Sequence, residues 1–370
     1  MALTSEEIRR YDRQIILPEL GLSGQQKLKE ARVLVVGCGG LGCPVLLYLA
    51  AAGTGTIGIV EDDTVALSNL QRQIMYATDT VGEPKLHEAI KRLKMLNPLV
   101  NFIGYQTRLT AENALEIISN YDIVVDGTDN FQTRYLVNDA CVMLNKPYVY
   151  GAINRFEGQV ALFNYNESAT YRDLFPSPPP PEQAPNCAEA GVLGVLPGII
   201  GSIQALEAIK AITGIGEPLA GKLLIMDTLS MQSRMVRIPK IPGTPAINKL
   251  IDYEAFCGVT AETSEPLDEI SYEAYMRLAE SDADEAPFQL IDVREKHEYD
   301  SFNINGELMP LSELEKHLAK IRRDKTVVIH CQSGIRSRKA ISLLKEKYGF
   351  NNLINLSGGI NAIVTPGSNE

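Results

Sequence analysis

The chain has 370 residues, 45% hydrophobic and 22% charged, with a formal net charge of −11. That length spans two or perhaps three domains with real cores. The acidic balance lacks the basic footprint that broad nucleic-acid binding requires, and no apolar run approaches a membrane span.

The N-terminus MALTSEEIRRYDRQI is polar, with a capping box at Thr4 and Glu7 in place of a secretory pattern. Next, RVLVVG (32–37) and TIGIVE (56–61) read as buried strands flanking a helix near 41–52. EPKLHEAIKRLKML (83–96) reads as a helix with Pro84 in its first turn. YDIVVDGTDN (121–130) reads as a strand ending in two acids, and GQVALFNY (158–165) and GKLLIMD (221–227) as further strands, with a helix near 198–213. This alternation predicts an α/β domain around a mainly parallel sheet of Rossmann type. Residues 168–190 break the pattern with a proline run and read as a mobile surface loop. A second irregular stretch over 238–270 reads as a linker. FQLIDV (288–293), TVVIH (326–330) and NLINL (352–356) then predict a smaller α/β domain. The boundaries expected are 1–240, 241–269 and 270–370.

Six cysteines, at 38, 43, 141, 187, 257 and 331, include no Cys-x-x-Cys pair. They form no disulfide framework and no evident zinc site, so a cytoplasmic protein with a few individually interesting thiols is expected.

VVGCGGLG places Gly37, Gly39 and Gly42 between a strand and a helix. Such glycines allow a tight turn and bring backbone N–H groups to a phosphate. Alone, the motif also fits a dinucleotide oxidoreductase. Glu61 ends the next strand, where a ribose-binding acid is expected. Asn69, Arg72 and Gln73 follow, Lys85 enters a helix, and Asp126 and Asp129 end another strand. Cations suit a triphosphate, and a carboxylate at that sheet edge can hold Mg²⁺. Hydride transfer needs neither.

The run RYDRQI…VVGCGGLGCP…SNLQRQ…GEPK…DGTDN…CAEAGVLGVLPG resembles the MoeB/ThiF family of ubiquitin-activating-like adenylyltransferases over about residues 4–240. The resemblance implies ATP-dependent adenylation of the C-terminal glycine of a small ubiquitin-like sulfur-carrier protein ending in Gly-Gly. It places Gly37, Gly39, Gly40, Gly42, Asp63, Ser68, Asn69, Leu70, Gln71, Gln73 and Asn130 about the nucleotide, with Glu61 on the ribose. Arg72 and Lys85 would hold phosphates, Asp129 would position Mg²⁺, and Arg13 would reach a neighbouring subunit's ATP, which implies a homodimer. Cys187 matches a thiol that some relatives use against the activated carrier. Relatives often hold zinc with two Cys-x-x-Cys pairs. Here Thr170 and Asp173 stand in place of the first pair and Cys257 alone near the second. No zinc is expected, and other packing must close that corner.

IHCQSGIRSRKA (329–340) puts Cys331 on a strand-to-helix turn. Backbone N–H groups of such a turn face the sulfur and stabilise negative charge on it, with Ser333 and Arg336 as added donors. The bland alternative is a buried core cysteine. A phosphatase loop would carry its arginine one residue later. The segment LIDVREKHEYDSFNINGELMPLSEL…VVIHCQSGIRSRKA…NLINLSGGINA resembles a rhodanese domain over roughly 270–363, with Asp292 and Arg294 in its structural DVRE motif. By that resemblance Cys331 is the persulfide carrier and Gln332, Ser333, Gly334, Ile335 and Arg336 its loop. Together the two resemblances imply a carrier thiocarboxylate for molybdopterin, thiamine or tRNA thiolation, with sulfur from thiosulfate or a cysteine desulfurase. Three other readings remain: a plain adenylyltransferase with an idle or independent sulfurtransferase domain, a non-enzymatic scaffold, and an NAD oxidoreductase.

Overall fold

The structure is a computed structural model that describes residues 2–179, 191–241, 247–258, 268–279 and 288–364. The chain divides into two units, Met1–Ala261 and Glu262–Glu370.

The first unit is built on eight strands: β1 (Arg32–Val36), β2 (Thr56–Val60), β3 (Asn101–Tyr105), β4 (Ile123–Asp126), β5 (Tyr148–Asn154), β6 (Glu157–Phe163), β7 (Lys222–Asp227) and β8 (Gln232–Arg237). They lie in the order β3-β2-β1-β4-β5-β6-β7-β8. The first five run parallel, and β6, β7 and β8 continue as an antiparallel meander. The parallel part matches the sequence reading, and the meander is the departure from it. Along β1, Val33 and Val35 enter one hydrophobic cluster while Leu34 and Val36 enter another. The sheet is therefore covered on both faces, which explains the unbroken apolar runs of its inner strands. β8 is exposed along its whole length, and its alternation is too polar to announce a strand.

The helices Gly42–Ala52 and Leu196–Thr213 pack against each other on one face. Gly42 sits where any Cβ would overlap the carbonyl oxygen of Gly37, so the turn after β1 closes only on a glycine. Pro84 is the N-cap of the helix Lys85–Leu96. Within the stretch read as a linker, residues 247–258 pack on the first unit, where the Tyr253 hydroxyl donates to Asp139 at 2.8 Å. Residues 180–190 of the proline-rich segment lie outside the described residues.

The second unit is a parallel sheet of β9 (Glu269–Ile270), β10 (Phe288–Asp292), β11 (Glu307–Leu308), β12 (Thr326–His330) and β13 (Leu353–Leu356), ordered β11-β10-β12-β13-β9. Val327 and Ile329 of the central strand face one cluster and Val328 the other. Among the described residues, no helix is long and apolar enough to cross a membrane.

Candidate functional sites: a nucleotide cavity and a thiol loop

Strand order reverses between β1 and β4, so the loops leaving them diverge and open a crevice at the carboxyl ends of the strands. A cavity of about 440 Å³ lies there. Gly37, Gly39, Gly40, Glu61, Asp63, Asn69, Arg72, Gln73, Lys85, Asp129 and Asn130 all line it. Gly42, Ser68, Leu70 and Gln71 do not. Ser68 supports the wall, since its carbonyl accepts from the Arg72 guanidinium at 3.0 Å. Arg13 does not line the cavity either: its side chain is 91% exposed and lies 3.9 Å from Asp12. Cys187 lies outside the described residues.

The cavity holds charge in a set pattern. Glu61 accepts from the Cys38 N–H at 2.9 Å and from the N–H groups of Asp62 and Asp63 at 3.1 and 3.0 Å. It thereby ties the glycine turn to the end of β2. Lys85 is buried against Asp63 at 2.5 Å, while Asp63 itself is 62% exposed. A lysine held at a cavity wall by one exposed carboxylate can turn to an incoming phosphate without losing charge compensation. The two acids of DGTDN separate completely. Asp126 is fully buried and accepts from the Thr128 N–H and hydroxyl and from the Tyr148 hydroxyl at 2.7 Å. Burial pushes its carboxyl up, against the pull of Arg134. Asp129 faces the cavity and makes no hydrogen bond within the described residues. Asn130 accepts from the Thr133 N–H at 2.9 Å and caps the helix Phe131–Met143. Sequence reasoning missed Thr107, Arg108, Leu109 and Ile153 in the lining. The first three follow β3, whose half-exposed sequence gave no strand signal. Arg108 also pairs with Glu254 at 3.6 Å.

The remaining described thiols of this unit are poor nucleophiles. Burial pushes Cys43 up to about 12 and raises Cys38 and Cys141 well beyond the ordinary range.

A polar network closes the corner formed by residues 170–173 and Cys257, where the resemblance looked for cysteine pairs. Asp173 accepts from the Thr170 N–H and hydroxyl at 2.7 and 2.9 Å and from the Ile241 N–H at 3.0 Å. The neighbouring Arg172 makes two 2.7 Å hydrogen bonds to Asp139 and stacks over Tyr135 and Phe256. Burial lifts the Cys257 thiol to about 11, opposed by Arg172. Among the described residues no three His, Cys, Asp or Glu side chains are grouped to hold a metal.

In the second unit Cys331 follows β12, and its side chain is fully buried. Burial alone is what a core cysteine shows, but polar groups surround this sulfur. It accepts from the Gly334 N–H at 3.1 Å, and the Ser337 hydroxyl lies 3.5 Å away, with the Asn355 side-chain oxygen its nearest acceptor at 2.6 Å. Gly334 has φ 89° and starts the helix Ile335–Tyr348, a conformation that favours glycine. The hydroxyl beside the sulfur is thus that of Ser337, one helical turn on from Ser333. Arg336 is paired with Glu298 through both terminal nitrogens. The loop is braced from below. Ile360 N–H donates to the Cys331 carbonyl and Asn361 N–H to that of Gln332, each at 2.9 Å, while the Arg294 guanidinium reaches the Gln332 side chain at 3.2 Å.

His330, directly before the thiol, is fully buried 3.8 Å from Asp292. Burial, partly offset by Asp292, pushes its ring down to about 4. The unfolded chain protonates this ring near pH 6.5, and the folded one resists until about pH 4. Its contribution is therefore intact above pH 6.5 and is lost as pH falls toward 4, on the order of 3 kcal/mol in all. Hydrogen exchange of β12 amides at pH 7 and pH 5 is expected to show that loss, and His330→Phe to flatten it.

Comparison with known proteins follows the same division. Residues 11–246 match the ThiF family and residues 275–365 the rhodanese-like domain. A probable adenylyltransferase/sulfurtransferase MoeZ of Mycobacterium tuberculosis is 47% identical over 366 residues, covering 97% of this chain and 93% of that protein. A sulfur carrier protein adenylyltransferase of Thermus thermophilus is 55% identical over 270 residues, 70% of this chain and 100% of its own length. The adenylyltransferase and sulfurtransferase MOCS3 of Mus musculus is 41% identical, covering 93% of this chain and 81% of that protein. A crystal structure of E. coli MccB with ATP superposes with a TM-score of 0.57 at 22% identity, over 66% of this chain and 76% of that one, and so shares the fold. The chain belongs to the ThiF family and carries a rhodanese-like domain after its ThiF domain.

Proposed function

We propose that the protein adenylates the C-terminal glycine of a ubiquitin-like sulfur-carrier protein with ATP and converts the acyl-adenylate to a thiocarboxylate with sulfur carried on Cys331. The observation that carries this reading is the coexistence of two built sites on one chain: a phosphate-suited cavity and a loop thiol that accepts from the Gly334 N–H beside the Ser337 hydroxyl. A carboxylate resists attack by sulfur because oxide is a poor leaving group, and joining it to AMP supplies a good one. Glycine-turn N–H groups, Arg72 and Lys85 would bear the charge that moves to pyrophosphate.

Asp62 and Asp129 are the cavity carboxylates whose side chains make no hydrogen bond among the described residues; Asp129, just past the carboxyl end of β4, is the one that would hold Mg²⁺, as one carboxylate shared with substrate phosphates suits that ion. Mg²⁺ would supply charge neutralisation across the phosphates. The exposed Arg13 is available to complete the cavity of a second copy, which supports a homodimer. The hydrogen-bonded state of Asp173 and the buried Cys257 thiol support a protein without zinc. Localisation in the cytoplasm fits a chemistry that needs ATP and reduced thiols. Placing both sites on one chain raises the effective concentration of sulfur near the adenylate.

The test is the intact mass of a carrier ending in Gly-Gly after incubation with Mg-ATP and a persulfide donor. A thiocarboxylate supports the full reading. An adenylated carrier without sulfur supports the plain adenylyltransferase, and an unchanged mass across a panel of carriers overturns both. Lys85→Ala is expected to slow adenylation about a hundredfold, the usual effect of removing one transition-state donor, measured by carrier-dependent pyrophosphate exchange.

A further inference from the structure

The arginine expected beside the reactive sulfur is already engaged. Arg336 donates from both terminal nitrogens to the two oxygens of Glu298, each at 2.6 Å, and the side chains are only 16% and 22% exposed. Burial opposes charge on Glu298, yet the Arg336 hydrogen bonds and the Glu295 N–H hold its carboxyl below the usual range. That N–H lies 3.0 Å away in the capping box that starts the helix Lys296–Ser301, so the backbone fixes where the carboxylate stands. The neighbouring arginines are compensated in the same way, Arg294 by Asp292 and Arg338 by Glu269, each at 2.7 Å. A bidentate pair partly withdrawn from water does not yield its guanidinium to a passing anion without cost. What these residues leave for an incoming sulfur group is neutral: the Gly334 N–H, with the Ser337 hydroxyl 3.5 Å from the sulfur.

Thiosulfate is a dianion and needs compensating charge where its sulfonate comes to rest. A persulfide, R–S–SH, brings at most one charge at the reacting end. We propose that Glu298 is a specificity-determining residue: by holding Arg336 it selects a persulfide over thiosulfate as the sulfur donor. The proposal rests on Cys331 as the sulfur carrier. In the step itself the Cys331 sulfur anion attacks the terminal sulfur of R–S–SH. A new S–S bond forms, the donor's S–S bond breaks, and R–S⁻ leaves with the electron pair, so sulfane sulfur changes carrier with no net oxidation. With thiosulfate the leaving group would be sulfite.

The experiment uses the full-length protein with thiosulfate or cysteine persulfide as donor and follows loading of Cys331 by intact mass and initial rate. Cysteine persulfide is expected to load the unmodified protein at concentrations where thiosulfate does not. In Glu298→Gln the KM for thiosulfate is expected to fall about tenfold, the scale of one partly buried charge pair, with kcat and the KM for cysteine persulfide little changed. Combining it with Arg336→Ala should remove that gain. Equal loading of the unmodified protein by both donors overturns the proposal, as does a folded Glu298→Gln with an unaltered thiosulfate KM. The donor comparison decides the case alone if the variant does not fold. If neither donor loads Cys331, it is the persulfide reading that fails.

Discussion

Cys331→Ala is expected to abolish thiocarboxylate formation while the carrier is still adenylated. The loss is total because no other described thiol can substitute. Cys38, Cys43 and Cys141 are buried with their thiols held protonated, and burial raises Cys257 to about 11. Among the described thiols, only Cys331 combines a strand-end position with a backbone N–H donating to its sulfur and a hydroxyl 3.5 Å away. Adenylation persists because the residues lining the nucleotide cavity all belong to the first unit. Carrier mass after incubation with Mg-ATP and cysteine persulfide reads both outcomes together. Thiocarboxylate persisting in the variant would move the chemistry to another thiol, of which Cys187 would be the first to replace.

Arg294→Ala is expected to destabilise the second unit by about 3–5 kcal/mol, the penalty for leaving one member of a buried ion pair uncompensated. Arg294 is 2% exposed and Asp292 fully buried. The guanidinium reaches both Asp292 oxygens at 2.7 to 3.1 Å, the Phe302 carbonyl at 2.7 Å and Gln332 of the thiol loop. Its removal strands a carboxylate in the core and unfastens the loop below Cys331. Arg294→Lys should recover only part of the loss, because an ammonium cannot match a planar fork with that many acceptors. Hydrogen exchange of β10 and β12 measures the change, and protection unaltered in Arg294→Ala would show that water reaches Asp292.

How much of this was legible depended on which forces act locally. β1, β2 and β4 announced themselves because strands buried on both faces are apolar throughout. β3 and β8 carry half-exposed or exposed sequences, so neither run nor alternation survived, and with β3 went Thr107 to Leu109 of the cavity. Glycine spacing and the acid at Glu61 were readable because the turn itself demands them. The division of labour between Asp126 and Asp129 was not, because Tyr148, the partner that claims Asp126, arrives from β5. The same holds in the thiol loop. Cys331 stood out by its place on a strand-to-helix turn. Helical geometry then brought Ser337 under the sulfur where Ser333 was expected, and Glu298, 38 residues earlier in sequence, took Arg336.

The corner fastened by Asp173, Arg172 and Asp139 differs in kind from a thiolate cluster. Carboxylate and guanidinium groups neither oxidise nor lose affinity when a transition metal grows scarce. The fastening made by these three residues therefore withstands oxidant stress or chelation that would break a metal clamp.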